Sequence, residues 1–207
     1  MPELPEVEIA SRNLSRWMSG RLVSSVHTPD VARFEGEAAS LVGQRFTSWR
    51  RIGKYLVGEL DGGLAFISHL GMTGQWVANA SEDRPHQRVV FRLEGGEPQT
   101  VSLVDSRRFG WSWIVDSAEV ATHPRLVDLG PDPLRDSLDS TQFRAIVGQG
   151  ATVLKSRLMN QRVLAGLGNI AITEIGWRAG VHPHRSCASI LSSEWESLWA
   201  STREHLH

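Results

Sequence analysis

The chain has 207 residues, with 22 Lys and Arg against 23 Asp and Glu for a formal net charge of −1, and one cysteine, Cys187. This length supports one large or two small domains with a real core, and 41% hydrophobic with 22% charged residues argues against wholesale disorder. A single thiol excludes an internal disulfide or a multi-cysteine zinc site within the chain and fits a reducing compartment; no apolar run approaches the roughly 18 residues of a membrane span, and the acidic start lacks an apolar signal region.

After Pro5 the apolar positions Val7, Ala10, Leu14 and Trp17 recur at helical spacing, and Gly20 supplies a stop. The period then changes. Short runs rich in Val, Ile, Phe and Trp predict strands at 22–28, 45–50, 55–60, 64–70, 88–93, 100–105 and 111–115. Turns such as Asp61-Gly62-Gly63 and Glu94-Gly95-Gly96 separate them, the pattern of an antiparallel sandwich or barrel. Leu129-Gly130-Pro131-Asp132-Pro133-Leu134 reads as a linker. Beyond it, helices are predicted near 140–147, 155–160, 163–166, 169–177 and 193–206, the last opened by a Ser193/Glu196 capping box. The fold class is therefore α+β, with a helix and β-sandwich domain over 1–128 and a helical domain over 129–207.

The neutral total hides local charge. Between 144 and 185, six basic residues stand against Glu174 alone, and Arg45, Arg50, Arg51 and Lys54 cluster on adjacent strands. Either group could be a nucleic-acid-binding patch or a solvated face, and charge alone favours the solvated face.

The N-terminus holds the first candidate chemistry. Removal of Met1 leaves Pro2 with a free secondary amine, whose reference pKa of about 7.7–8.0 keeps a fraction neutral and nucleophilic near pH 7. Such an amine attacks a sugar C1′ to form an iminium adduct. Glu3 and Glu6 stand close by as acids or bases.

Met1-Pro2-Glu3-Leu4-Pro5-Glu6-Val7-Glu8 resembles the N-terminal signature of the formamidopyrimidine-DNA glycosylases, base-excision enzymes related to endonuclease VIII. Five further motifs follow in the family's order: Arg51-Ile52-Gly53-Lys54-Tyr55-Leu56, His69-Leu70-Gly71-Met72-Thr73-Gly74, Asp105-Ser106-Arg107-Arg108-Phe109-Gly110, the 129–134 linker, and Gly166-Leu167-Gly168-Asn169-Ile170 with Gly180-Val181-His182-Pro183. The resemblance covers residues 1 to about 190 and implies a helix–two-turn–helix in the second domain. It assigns Pro2, Glu3, Glu6 and Lys54 to catalysis. Met72, Arg107 and Phe109 would fill the gap left by an extruded nucleotide. His69, His86, Arg107, Arg108, Lys155 and Asn169 would contact DNA.

The implied activity is a bifunctional glycosylase and abasic-site lyase on oxidised purines in damaged duplex DNA. An endonuclease VIII-like preference for oxidised pyrimidines, or a damaged-DNA-binding protein with little turnover, are the alternatives. The resemblance further implies a monomer in the bacterial cytoplasm, associated with the nucleoid and away from membranes. It implies no metal and no cofactor within this chain, with structural zinc only in a finger beyond His207. Three positions depart from the family pattern: Ala171 where an aromatic is usual, Ala151 where a basic residue is common, and Ser106 in place of proline.

Overall fold

The computed structural model describes residues 2–29, 31–81 and 83–206. The chain forms two compact units. One comprises Pro2 with Glu6–Leu126; the other comprises Glu3–Pro5 with the chain from Val127 onward.

In the first unit, helix α1 (Leu4–Met18) turns Val7, Leu14 and Met18 fully inward, and Gly20 follows its end at a left-handed φ of 77°. Nine strands follow among the described residues: β1 (Leu22–His27), β2 (Phe34–Glu35), β3 (Phe46–Ile52), β4 (Tyr55–Leu60), β5 (Leu64–His69), β6 (Gln75–Ala78), β7 (Gln87–Glu94), β8 (Thr100–Val104) and β9 (Trp111–Asp116). They form a four-stranded sheet, β1-β7-β8-β6, and a five-stranded sheet, β2-β9-β5-β4-β3. All pairings are antiparallel except β2 with β9. Phe91 of the smaller sheet meets Phe46 and Phe66 of the larger edge-on, at 5.5 and 5.3 Å between ring centroids. These rings, with the apolar face of α1, form the core of this unit. The predicted pattern missed β2 and β6, whose two and four residues are too short to display a period.

The second unit packs α2 (Ser140–Val147), α3 (Leu154–Met159), α4 (Asn169–Ala179) and α5 (Ser192–Leu206) around Phe143, Leu158, Ile172, Trp195 and Leu198. Leu4 belongs to this core. The helix predicted at 163–166 is instead a tight turn. The Gln161 side chain takes the backbone groups a helix would use, accepting from Gly166 N at 2.9 Å and donating to the Leu167 carbonyl at 2.8 Å. Gly166 then leaves the helical region at φ 101°. The expected Ser193/Glu196 capping box is replaced by half of one two residues earlier: α5 begins at Ser192, and Glu194 accepts the Leu191 amide at 2.8 Å, while Leu191 has no side-chain acceptor to complete it. A full capping box forms at α2, between Asp139 and Gln142.

Candidate active site and nucleic-acid interface

Pro2 lies partly exposed on a cleft of about 380 Å³ within the first unit. Glu6, Ala10 and Asn13 of α1 line one wall, and Thr73, Gln75 and Trp76 another. The residues expected as nucleophile and nearby acid therefore share one recess. Its volume lies in the roughly 300–1,000 Å³ range typical of small-molecule sites.

Lys54 occupies the two-residue turn joining β3 to β4, where Ile52 pairs with Tyr55. Gly53 supplies the positive φ, 55°, that this hairpin needs at its first central position. Beneath the turn, Arg51 is 1% exposed. It donates to the Gly53 carbonyl at 2.9 Å and to Glu8 at 2.8 Å, so it is a buried strut rather than part of a basic patch. Arg50 is likewise committed, to Glu59 at 2.8 Å. The basic cluster expected on these strands is thus largely spent on internal partners.

His69, at the end of β5, packs against Tyr55 with ring centroids 4.8 Å apart. Burial lowers its pKa to about 4, helped by the positive charges of Lys54 and Arg125. The ring is therefore neutral at pH 7. Its Nδ1 accepts the Gly71 amide at 3.2 Å, which leaves the proton on Nε2 as a donor.

The two loops assigned to gap filling lie side by side in this unit. Met72 and Phe109 are large apolar residues left 38% and 44% exposed, and the Arg107 guanidinium stacks 4.9 Å from the Phe109 ring centre. Asp105, itself 1% exposed, ties the loops together. Its carboxylate accepts from the Thr73 hydroxyl at 2.5 Å, from Gly110 N at 2.8 Å and from Arg107 N at 3.2 Å. Burial pushes the Asp105 pKa up, but the bonds from Thr73 and from the Gly110, Arg107 and Phe109 amides outweigh it, so the pKa falls below the usual carboxylate value. Gly71, at φ 61°, lies so close to Phe109 that a Cβ there would overlap the Phe109 carbonyl carbon.

His86 and Arg108 line a broader recess of about 690 Å³, together with His27, Arg84 and Arg88. Both hold left-handed backbone, φ 68° and 59°, which is uncommon for residues with a side chain. Among the described residues that line it, the recess gathers the guanidinium groups of Arg84, Arg88 and Arg108 beside Asp83.

In the second unit, the Glu3 carboxylate caps α4. It accepts from Gly168 N at 2.8 Å, Ile170 N at 2.9 Å and Ala171 N at 3.0 Å, and Glu3 is 3% exposed. The free amides and positive dipole end of a helix N-terminus favour a carboxylate there. Asn169, the first residue of α4, is exposed beside this cap. Of its flanking glycines only Gly166 has positive φ. Gly168 is extended, and its missing side chain instead makes room for Glu3, whose Cδ would lie 2.5 Å from an added Cβ. Lys155 lies in the first turn of α3, its amide bonded to the Pro183 carbonyl at 2.9 Å. The neighbouring arginines of the basic window are engaged: Arg157 with the Ile146 and Val147 carbonyls, Arg162 with Asp128, Arg178 with Glu204 and Arg185 with Glu194.

The site residues thus fall into groups: Pro2 with Glu6; Lys54 with His69; Met72 with Arg107 and Phe109; His86 with Arg108; and Glu3 with Asn169. Lys155 belongs to the second unit, on α3. Met1 lies outside the described residues. Sequence reasoning missed Asp105 and Thr73, although an aspartate two residues before a turn amide is a recognised Asx signal. It also missed Arg125, which nothing in its local sequence marks. No three His, Cys, Asp or Glu among the described residues could hold a metal ion, and Cys187 is buried. The described residues do not fit a structural zinc. No helix among them is long and apolar enough to cross a membrane.

Comparison with known proteins gives consistent matches. Residues 1–112 match the family model described as the formamidopyrimidine-DNA glycosylase N-terminal domain, and residues 129–207 match that of its H2TH domain. A formamidopyrimidine-DNA glycosylase of Cereibacter sphaeroides is 38% identical over all of this chain and 77% of its own length. The crystal structure of the MutM (Fpg) protein of Thermus thermophilus shares 35% identity at a TM-score of 0.85, covering 98% of this chain and 74% of its own. That of Lactococcus lactis formamidopyrimidine-DNA glycosylase, bound to DNA containing an abasic site, shares 27% at 0.86, covering 99% and 81%.

Proposed function

This chain belongs to the formamidopyrimidine-DNA glycosylase family, and from that premise we propose that it excises oxidised purines from duplex DNA and then cleaves the strand, through a Schiff base on Pro2. The observation that carries this reading is the placement of Pro2 on a recess with Glu6, while Glu3, the next residue along the chain, is fixed by three backbone donors.

The Pro2 nitrogen, freed by removal of Met1, attacks C1′ of the extruded nucleotide, and the base departs with the glycosidic electron pair. The sugar ring opens to an iminium ion, with proton transfers handled by Glu3. The iminium acidifies C2′. Loss of that proton breaks the C3′–O bond, and a second elimination breaks the C5′–O bond. Lys54, neutral His69, His86 and Arg108 offer donors to the phosphates of the reacting strand, and Asn169 with Lys155 extends the grip in the second unit. Met72, Arg107 and Phe109 occupy the gap in the stack. The protein acts as a monomer in the bacterial cytoplasm.

Borohydride trapping tests this reading. The Met1-processed protein should form a covalent adduct with duplex DNA containing 8-oxoguanine or a formamidopyrimidine. Pro2→Gly should abolish the adduct and Glu3→Gln should reduce it. No adduct with the processed protein would refute the mechanism, and stronger trapping on oxidised pyrimidines would reassign the lesion class.

A further inference from the structure

Gap filling needs two loops from different parts of the chain to act together. Met72 follows β5, whereas Arg107 and Phe109 lie between β8 and β9. Two independent loops with exposed apolar tips would each lose conformational freedom on entering the duplex. Here that freedom is already removed.

We infer that Asp105 is a positioning residue that locks the two loops into one rigid wedge through the Thr73 hydroxyl. This rests on the glycosylase reading above. The Thr73 hydroxyl donates to Asp105 at 2.5 Å and accepts the Arg107 amide at 3.2 Å, so one side chain of the first loop is built into the hydrogen bonding of the second. Asp105 also accepts from Arg107 N and Gly110 N, at either end of the segment bearing Phe109. The backbone of Asp105 is pinned in turn. Its amide donates to the His86 carbonyl at 2.9 Å, and its carbonyl accepts two bonds from the Arg88 guanidinium at 2.9 and 2.8 Å. His86 and Arg88 both line the cationic recess. A phosphate drawn into that recess therefore bears on the residue that holds the wedge. Backbone packing adds a second lock, since Gly71 of the first loop lies directly against the Phe109 peptide. Thr73 also lines the Pro2 cleft, so positioning is separated from catalysis by a single-stranded substrate, which needs the cleft but not the wedge.

The test places 2-aminopurine opposite a tetrahydrofuran abasic site and follows its fluorescence as the wedge unstacks it, with Phe109→Ala as the wedge-free reference. Asp105→Asn and Thr73→Val should lose most of the wild-type rise and approach Phe109→Ala. Thr73→Ser, which restores the hydroxyl, should recover it. Borohydride trapping by the same variants should fall at least tenfold more on duplex than on single-stranded abasic DNA, because a single strand has no stack to open. Wild-type unstacking by Thr73→Val and Asp105→Asn would overturn the inference. So would equal losses on duplex and single strand, which would mark Asp105 as general support of the fold. A wild-type protein that traps neither substrate would instead remove the glycosylase reading on which the inference stands.

Discussion

Replacing Gly168 with alanine should dislodge Glu3 without altering its charge or its place in the chain. Gly168 adopts φ −137° and ψ −165°, extended backbone open to any residue, so the substitution brings no intrinsic backbone strain. The effect comes from the Cβ, which would lie 2.5 Å from the Glu3 Cδ. Ordinary contact begins near 3.4 Å, so the carboxyl must retreat by about 1 Å. That movement carries bonds of 2.8–3.0 Å beyond hydrogen-bonding range. Losing one bond to a charged acceptor costs about 1.5–3 kcal/mol, in line with the loss of a strong helix cap. With a urea m-value of about 1–3 kcal/mol/M, the midpoint should fall by roughly 1 M. Under the proposed mechanism, displacing Glu3 by this distance should also slow borohydride trapping by roughly 10–100-fold. Denaturation curves and trapping time courses on the same protein measure both effects. Wild-type stability together with wild-type trapping would refute the claim that the α4 cap sets the position of Glu3.

Further perturbations follow from the first unit. Glu8→Ala removes the carboxylate that faces the fully buried Arg51 guanidinium, and should cost about 3–5 kcal/mol in a urea melt, whereas a loss under about 1 kcal/mol would mean the pair contributes little. His69 titrates near 4 in the fold against about 6.5 unfolded, so its contribution is complete above pH 6.5. It is lost as pH falls towards 4, by about 3 kcal/mol in all. A His69 pKa of about 6 or more by NMR would contradict this, and Lys54→Gln should raise the value by removing a repulsive charge. Gly71→Ala combines a left-handed φ of 61° with overlap against the unyielding Phe109 backbone, and should cost more than the roughly 1 kcal/mol of conformational strain alone; a variant as stable as wild type would show that the two loops can separate freely.

Local pattern revealed what is local. The α1 stripe is visible because Val7 and Leu14 fall on the same helix face two turns apart, and β7 because Val89, Phe91 and Leu93 alternate inward. The motifs that carry Pro2, Lys54, Met72, Arg107, Phe109 and Asn169 are contiguous strings, readable without a structure. Charge was less informative. The same arginines that make a basic window on paper are bonded to carbonyls and carboxylates of their own unit, because a long guanidinium side chain satisfies the nearest acceptors wherever the chain brings them.

Sequence alone determined the α+β class and the succession of the longer elements, and it named the candidate reactive groups, because each depends on neighbours a few residues apart. Tertiary structure alone decided that Glu3 caps a helix 165 residues away, that Arg51 is a strut, and that Asp105 joins two loops 32 residues apart through Thr73. A hydrogen bond is formed by donors and acceptors that meet in space, and their separation along the chain leaves no periodic trace in composition or spacing.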